Sequence, residues 1–244
     1  MINAAPFLEA IKRTAVRAIL PTNLTSAELS QLSRDLNQNA FVSAQNTLKQ
    51  SLEMAKSQVL ALANGDVDLV TARLELKKVF QQLGYQPDPE KRGTIQDLAS
   101  TGRTNLVIKT NTQIAQGFGY DRQGQSDAIL DQWPAQELFR AEARTKERRW
   151  LERWERAGAA TGDSIGIGWT IYRGRMIALK NHPIWDALGN SNIFEDGLNN
   201  PYPPFAFGSG MDVRDVDRDT AMEIGLIDRD TQIKPRLQRF LQDV

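Results

Sequence analysis

Residues 164–179 read SIGIGWTIYRGRMIAL, and this stretch decides between an all-helical and a mixed fold. β-Branched and aromatic residues stand between glycines, which predicts short strands. Downstream, residues 199–210 read NNPYPPFAFGSG. Three prolines without amide donors exclude regular helix and central strand there. Met211 to Val216 predicts one more short strand. Asp217 then caps a terminal helix containing Ala221, Met222 and Ile224, closed by Gly225.

Upstream of Gly117 the pattern is helical. Leu8, Ile11, Ala15 and Ala18 recur at helical spacing until Pro21 stops them. Thr25 and Glu28 form a capping-box signature, in which the hydroxyl accepts a free amide and the carboxylate reaches back. From Phe41, the positions Ala44, Leu48, Leu52, Ala55, Val59 and Leu62 predict one long amphipathic helix. Asn64-Gly65-Asp66 pairs a glycine stop with an N-cap at Asp66. The following helix carries Leu69, Ala72, Leu76, Val79, Phe80 and Leu83 and ends at Gly84. A further helix runs from Arg103 to about Gly117, with Leu106, Val107, Thr110 and Ile114 inward. Beyond it, only Pro134 to Ala157 keeps a long run without breakers. The predicted fold is α+β: a mostly helical half, residues 1–118, then a small loop-rich mixed α/β domain, residues 119–244.

Composition narrows the chemistry. The 244 residues balance 30 Lys+Arg against 30 Asp+Glu, so no general cationic coat for nucleic acid exists. With no cysteine there is no disulfide, thiol nucleophile or thiolate zinc site. The single histidine, His182, excludes a two-imidazole site within one chain. Met1 to Leu20 mixes charges into its apolar positions and lacks a signal-peptide core. No apolar run approaches the ~20 residues that span a bilayer. An intracellular protein without a membrane partner is expected.

Four motifs bear on chemistry. Gly166-Ile167-Gly168 opens like a dinucleotide fingerprint, but the third glycine position is Ile171. Asp215-Val216-Asp217-Arg218-Asp219 opens like a calcium loop, with Thr220 and Leu226 where Gly and Glu belong. It reads better as a strand end followed by a capped helix. His182, in a turn-like context, reads as a loop or surface residue without a catalytic role. Arg140 to Arg156 holds seven basic and four acidic residues, with Trp150 and Trp154 one turn apart. Arg144, Arg148 and Arg149 could grip DNA phosphates there. The favoured reading is an amphipathic segment with inward tryptophans and opposite charges pairing, as Glu152 and Arg156 would. No cofactor or metal is implied.

The order of elements from Ala40 onward resembles the phage Mu F-type minor head proteins, also called phage head morphogenesis proteins. Ala40-Phe41 opening a helix, Asn64-Gly65, Gly84-Tyr85 and the arginine-led helix from Arg103 through Lys109-Thr110-Asn111-Thr112-Gln113 to Gly119 follow the family's order. Gly174-Arg175, His182-Pro183-Ile184-Trp185-Asp186, Tyr202-Pro203-Pro204 and the closing Val213 to Gly225-Leu226 continue it. Where the family usually carries Cys-Arg-Cys, this chain has Ser209-Gly210-Met211. The likeness covers about four-fifths of the chain.

The resemblance implies a non-enzymatic structural protein of a tailed-phage or prophage head. It would be a minor, portal-associated component present in several copies, assembled in the host cytoplasm and carried in the virion. Its implied partners are the portal and other head proteins, with non-specific contact to packaged DNA. Trp185, Tyr202, Pro203 and Pro204 would hold the second domain together. The alternatives are a connector or neck protein, or a nucleic-acid-processing enzyme using Asp215, Asp217 and Asp219 around magnesium.

Overall fold

The computed structural model describes residues 8–32, 39–143 and 148–236, and over them the chain is α+β. Helix α1 (Leu8–Val16) leads into β1 (Ala18–Ile19), helix α2 (Ser26–Ser30) and β2 (Ala40–Phe41). β1 and β2 pair in parallel, Ala18 with Ala40 and Ile19 with Phe41. Ala18 therefore lies outside α1, and Ala40-Phe41 is strand where a helix opening was expected. The apolar residues that set the period of α1 are not its buried face. Ala10, Arg13 and Thr14 are buried, whereas Leu8 and Val16 are 60% and 71% exposed. The rotation follows from hydrogen bonding, because Arg13 reaches Asn39 and the adjoining Arg17 reaches Ala40 and Asn111.

The capping box at Thr25 and Glu28 forms as expected. Helix α3 spans Lys49–Asn64, so it begins later than Phe41. Sheet pairing claims Phe41, and the Asn46 side chain accepts from the Leu48 amide and from Ser51 Oγ, which sets the start. Gly65 stops α3 with φ 82°. The N-cap of α4 (Leu69–Gln82) is Asp68 rather than Asp66; its carboxylate accepts from the Thr71 amide at 2.8 Å. Helix α5 (Thr101–Gly124), capped by Ser100, runs seven residues past Gly117. It packs on α1, α3 and α4 around Phe41, Val59, Leu76, Phe80 and Ile108.

After α6 (Asp127–Gln132), the run from Pro134 to Ala157 divides into strand β3 (Ala135–Arg140) and helix α7 (Trp150–Thr161). β3 is the hub of a sheet ordered β4-β5-β3-β6, all antiparallel, with β4 Trp169–Tyr172, β5 Arg175–Leu179 and β6 Met211–Val216. The expected strands within residues 164–179 and 211–216 are thus present. Because strand side chains alternate, the sheet has two apolar faces. Leu138, Ala178 and Met211 face α7 and α8 (Ile184–Gly189), whereas Ala135, Ile177 and Val216 meet α9 (Arg218–Glu223) and Leu226. Asp217 caps α9 through the Thr220 amide, as its sequence predicts.

Candidate functional site

The four residues singled out for the second half are all buried, Trp185 within the core on one face of the sheet and Tyr202 and Pro203 against α5. Trp185 is fully buried, stacked on Phe205 with ring centroids 6.1 Å apart and edge-on to Trp154 at 5.3 Å. Tyr202, Pro203 and Pro204 are buried, and Tyr202 meets Phe118 of α5 edge-on at 6.0 Å. Gly117 makes that seat possible. A Cβ there would overlap the Pro203 carbonyl oxygen and stand 3.0 Å from Tyr202 Cδ2. The Tyr-Pro-Pro segment therefore joins the sheet half to the long helix by backbone contact.

The basic segment is largely tied into structure. Trp150 and Trp154 are buried, and Trp154 Nε1 donates to the Thr170 carbonyl. Arg153 donates from Nε and Nη2 to the Leu188 carbonyl and from Nη1 to Asp196 at 2.6 Å, and it stacks over Phe194. It thereby ties the C-terminal end of α8 to α7. Arg148 pairs with Asp196 and donates to the Phe207 carbonyl. Arg149 pairs with Glu152 at the surface. Arg144 lies outside the described residues.

Asp215, Asp217 and Asp219 do not converge. Asp215 pairs with the buried Lys180 at 2.7 Å, Asp217 caps α9, and Asp219 is exposed in its first turn. Among the described residues, no three His, Cys, Asp or Glu side chains are grouped to hold a metal ion. His182 lies in the loop between β5 and α8, as expected, but it is buried rather than at the surface. Its Nδ1 accepts from the Ile184 amide, and Nε2 lies 3.2 Å from Asp163 Oδ2. Burial lowers its pKa from 6.5, outweighing the Asp163 carboxylate that favours the charged ring. Gly166 and Gly168 turn the chain into β4, and a Cβ on Gly168 would fall 2.6 Å from the His182 ring. No described helix is long and apolar enough to cross a membrane.

Two features were missed by sequence reading. Glu137, buried in the middle of β3, accepts from Arg175 at 2.8 Å and from Arg214 at 2.9 Å. Burial alone would raise its pKa, but these two guanidinium groups hold it below 4.5. The other feature is a cavity of about 350 Å³ between α2, α5, the segment after β2 and the loop at residues 197–200. Leu106, Val107 and Ile114, assigned an inward face, are half-buried and line it together with Arg17 and Arg103. Arg17, 5% exposed, donates to the Ala40 carbonyl and to Asn111 Oδ1 at 2.7 Å. Burial, and then the charge of Arg13, lower its pKa to about 10. The available signal was Arg13 and Arg17 one turn apart among apolar residues. Comparison with family models, curated proteins and solved structures finds no match.

Proposed function

We propose that this chain is a non-enzymatic structural protein of a tailed-phage or prophage head. It acts as a minor, portal-associated component in head assembly and genome packaging or delivery, through protein contacts. One observation carries the reading. Segments far apart in sequence, whose order resembles the F-type proteins, form one packed unit. Trp185 from the His-Pro-Ile-Trp-Asp segment and Phe205 next to Tyr-Pro-Pro share a core with Val213 of the closing strand. Arg175 of the Gly-Arg turn meets Arg214 of that strand on Glu137.

Such packing supports a rigid body whose surface is the working part. Several apolar side chains remain outside, among them Val70 and Leu74 on α4, Ile95, and Ile165 and Ile167 before β4. The test is co-expression of the tagged full chain with the portal and major head proteins of the same phage or prophage. Co-purification with portal oligomers is the expected result. A chain recovered alone beside assembled portals would overturn the proposal.

A further inference from the structure

The cavity beside α5 combines features that structural packing does not require of one another. Its walls are largely aliphatic, with Leu106, Val107 and Ile114 on α5 facing Leu198 of the opposing loop. At about 30 Å³ per water, its 350 Å³ holds roughly a dozen non-hydrogen atoms. A guanidinium borders each end. Arg103 starts the α5 wall, and Arg17 is bonded to Asn111, eight residues or about 12 Å further along the helix.

Both cations are held by neutral acceptors only. Arg103 Nη2 donates to Ser43 Oγ at 2.7 Å and to the Ala44 carbonyl at 2.5 Å, and its buried Nε has no partner. Arg17 uses its three nitrogens on Ala40 and Asn111. Among the described residues, no carboxylate pairs with either. Arg13 also lines the cavity beside Arg17, and Lys56 adds positive charge behind it, donating to the Arg17 backbone carbonyl at 2.7 Å. Buried charge without a counter-charge is costly, and a guanidinium fork matches the planar shape of a carboxylate.

From this arrangement we infer that the cavity binds a small amphiphilic carboxylate, with its headgroup on Arg103 and its apolar body along Leu106, Val107 and Ile114. Among the described residues the Arg103 guanidinium donates from Nη2 alone, which leaves Nη1 to supply the first headgroup bond. Arg17 and Lys56 add positive potential from the far side. A phosphate, with more charge and more acceptors to satisfy, is a poorer fit to walls that are mostly hydrocarbon. The site is independent of the assembly reading and does not need any partner protein.

The experiment is calorimetric titration of the full chain with decanoate and with decanol, which share an apolar tail and differ in charge. Decanoate should bind at least about tenfold more tightly. Leu106→Trp fills the chamber while leaving every charge in place, and it should weaken decanoate binding at least about tenfold. Arg103→Met should reduce decanoate affinity to that of decanol. If that variant loses its folded circular-dichroism signal, the Leu106→Trp result decides. Equal affinity for the two probes in the parent chain would overturn the inference. So would full decanoate binding by a folded Leu106→Trp chain, because the ligand would then be seated elsewhere.

Discussion

Replacing Gly117 by alanine tests how the two halves of the chain are joined. In an unobstructed helix interior the change stabilises by about 1 kcal/mol, since alanine restricts the unfolded chain and favours helix. Here the added methyl group overlaps the Pro203 carbonyl oxygen and crowds the Pro203 carbonyl carbon and Tyr202 Cδ2, each at 3.0 Å. A backbone carbonyl has no rotamer by which to escape. Helix α5 and the Tyr-Pro-Pro segment must separate, loosening the buried Tyr202 ring and its contact with Phe118. Overpacking costs about 1–3 kcal/mol, and partial loss of an aromatic contact adds to it. The net expectation is a destabilisation of about 2–3 kcal/mol, or a melting temperature lower by about 4–12 °C for a chain of this size. Gly102→Ala is the internal control. It sits exposed in the first turn of the same helix, with Ile95 Cδ1 at 3.9 Å as its nearest neighbour. Thermal denaturation followed by circular dichroism should show the control unchanged or raised. An equal or raised melting temperature for Gly117→Ala would refute close seating of the segment on α5.

Glu137→Gln removes the negative charge shared by Arg175 and Arg214 and should cost about 1.5–3 kcal/mol by urea denaturation; no loss would show the trio to be incidental. His182 binds a proton less readily when folded than its ordinary 6.5. The stability it contributes is therefore present above that value and lost as pH falls below it. His182→Asn keeps an acceptor for the Ile184 amide, so its melting temperature should fall less steeply between about pH 7.5 and 5.5; an unchanged slope would show that His182 is not the linked group. Substituting Arg144, Arg148 and Arg149 together with Gln should leave weak retention on duplex DNA unchanged at about 150 mM salt. A parent log–log salt slope of about −3 to −4, flattened by those substitutions, would make the basic segment a phosphate surface instead.

Local chemistry was readable in the sequence wherever neighbours along the chain settle it. The capping box at Thr25, the stop at Gly65, the short strands within residues 164–179, the strand at Met211 and the cap at Asp217 all follow from contacts a few residues long. The rest depends on distant partners. Nothing near Ala18 or Ala40 announces that they pair with each other. β3 lies inside a run whose lack of breakers is equally compatible with helix, and only β5 and β6 on either side make it a strand. Periodicity also misplaced the buried face of α1, because it ranks arginine as a surface residue. Arg13 and Arg17 go inward where acceptors on Asn39, Ala40 and Asn111 await them. The Tyr-Pro-Pro segment was legible as residues, but its seat on Gly117 was not. The cavity was invisible for the same reason, since its walls come from several stretches far apart in sequence.

We propose that this chain works by becoming part of a phage head. Its most direct test is quantitative mass spectrometry of purified virions or induced prophage particles, from the parent and from a strain in which the coding region is deleted. The expected result is the chain at a low, fixed ratio to the portal in parent particles, and defective heads or undelivered genomes after deletion. Complete, infectious particles that never contain it would contradict the account.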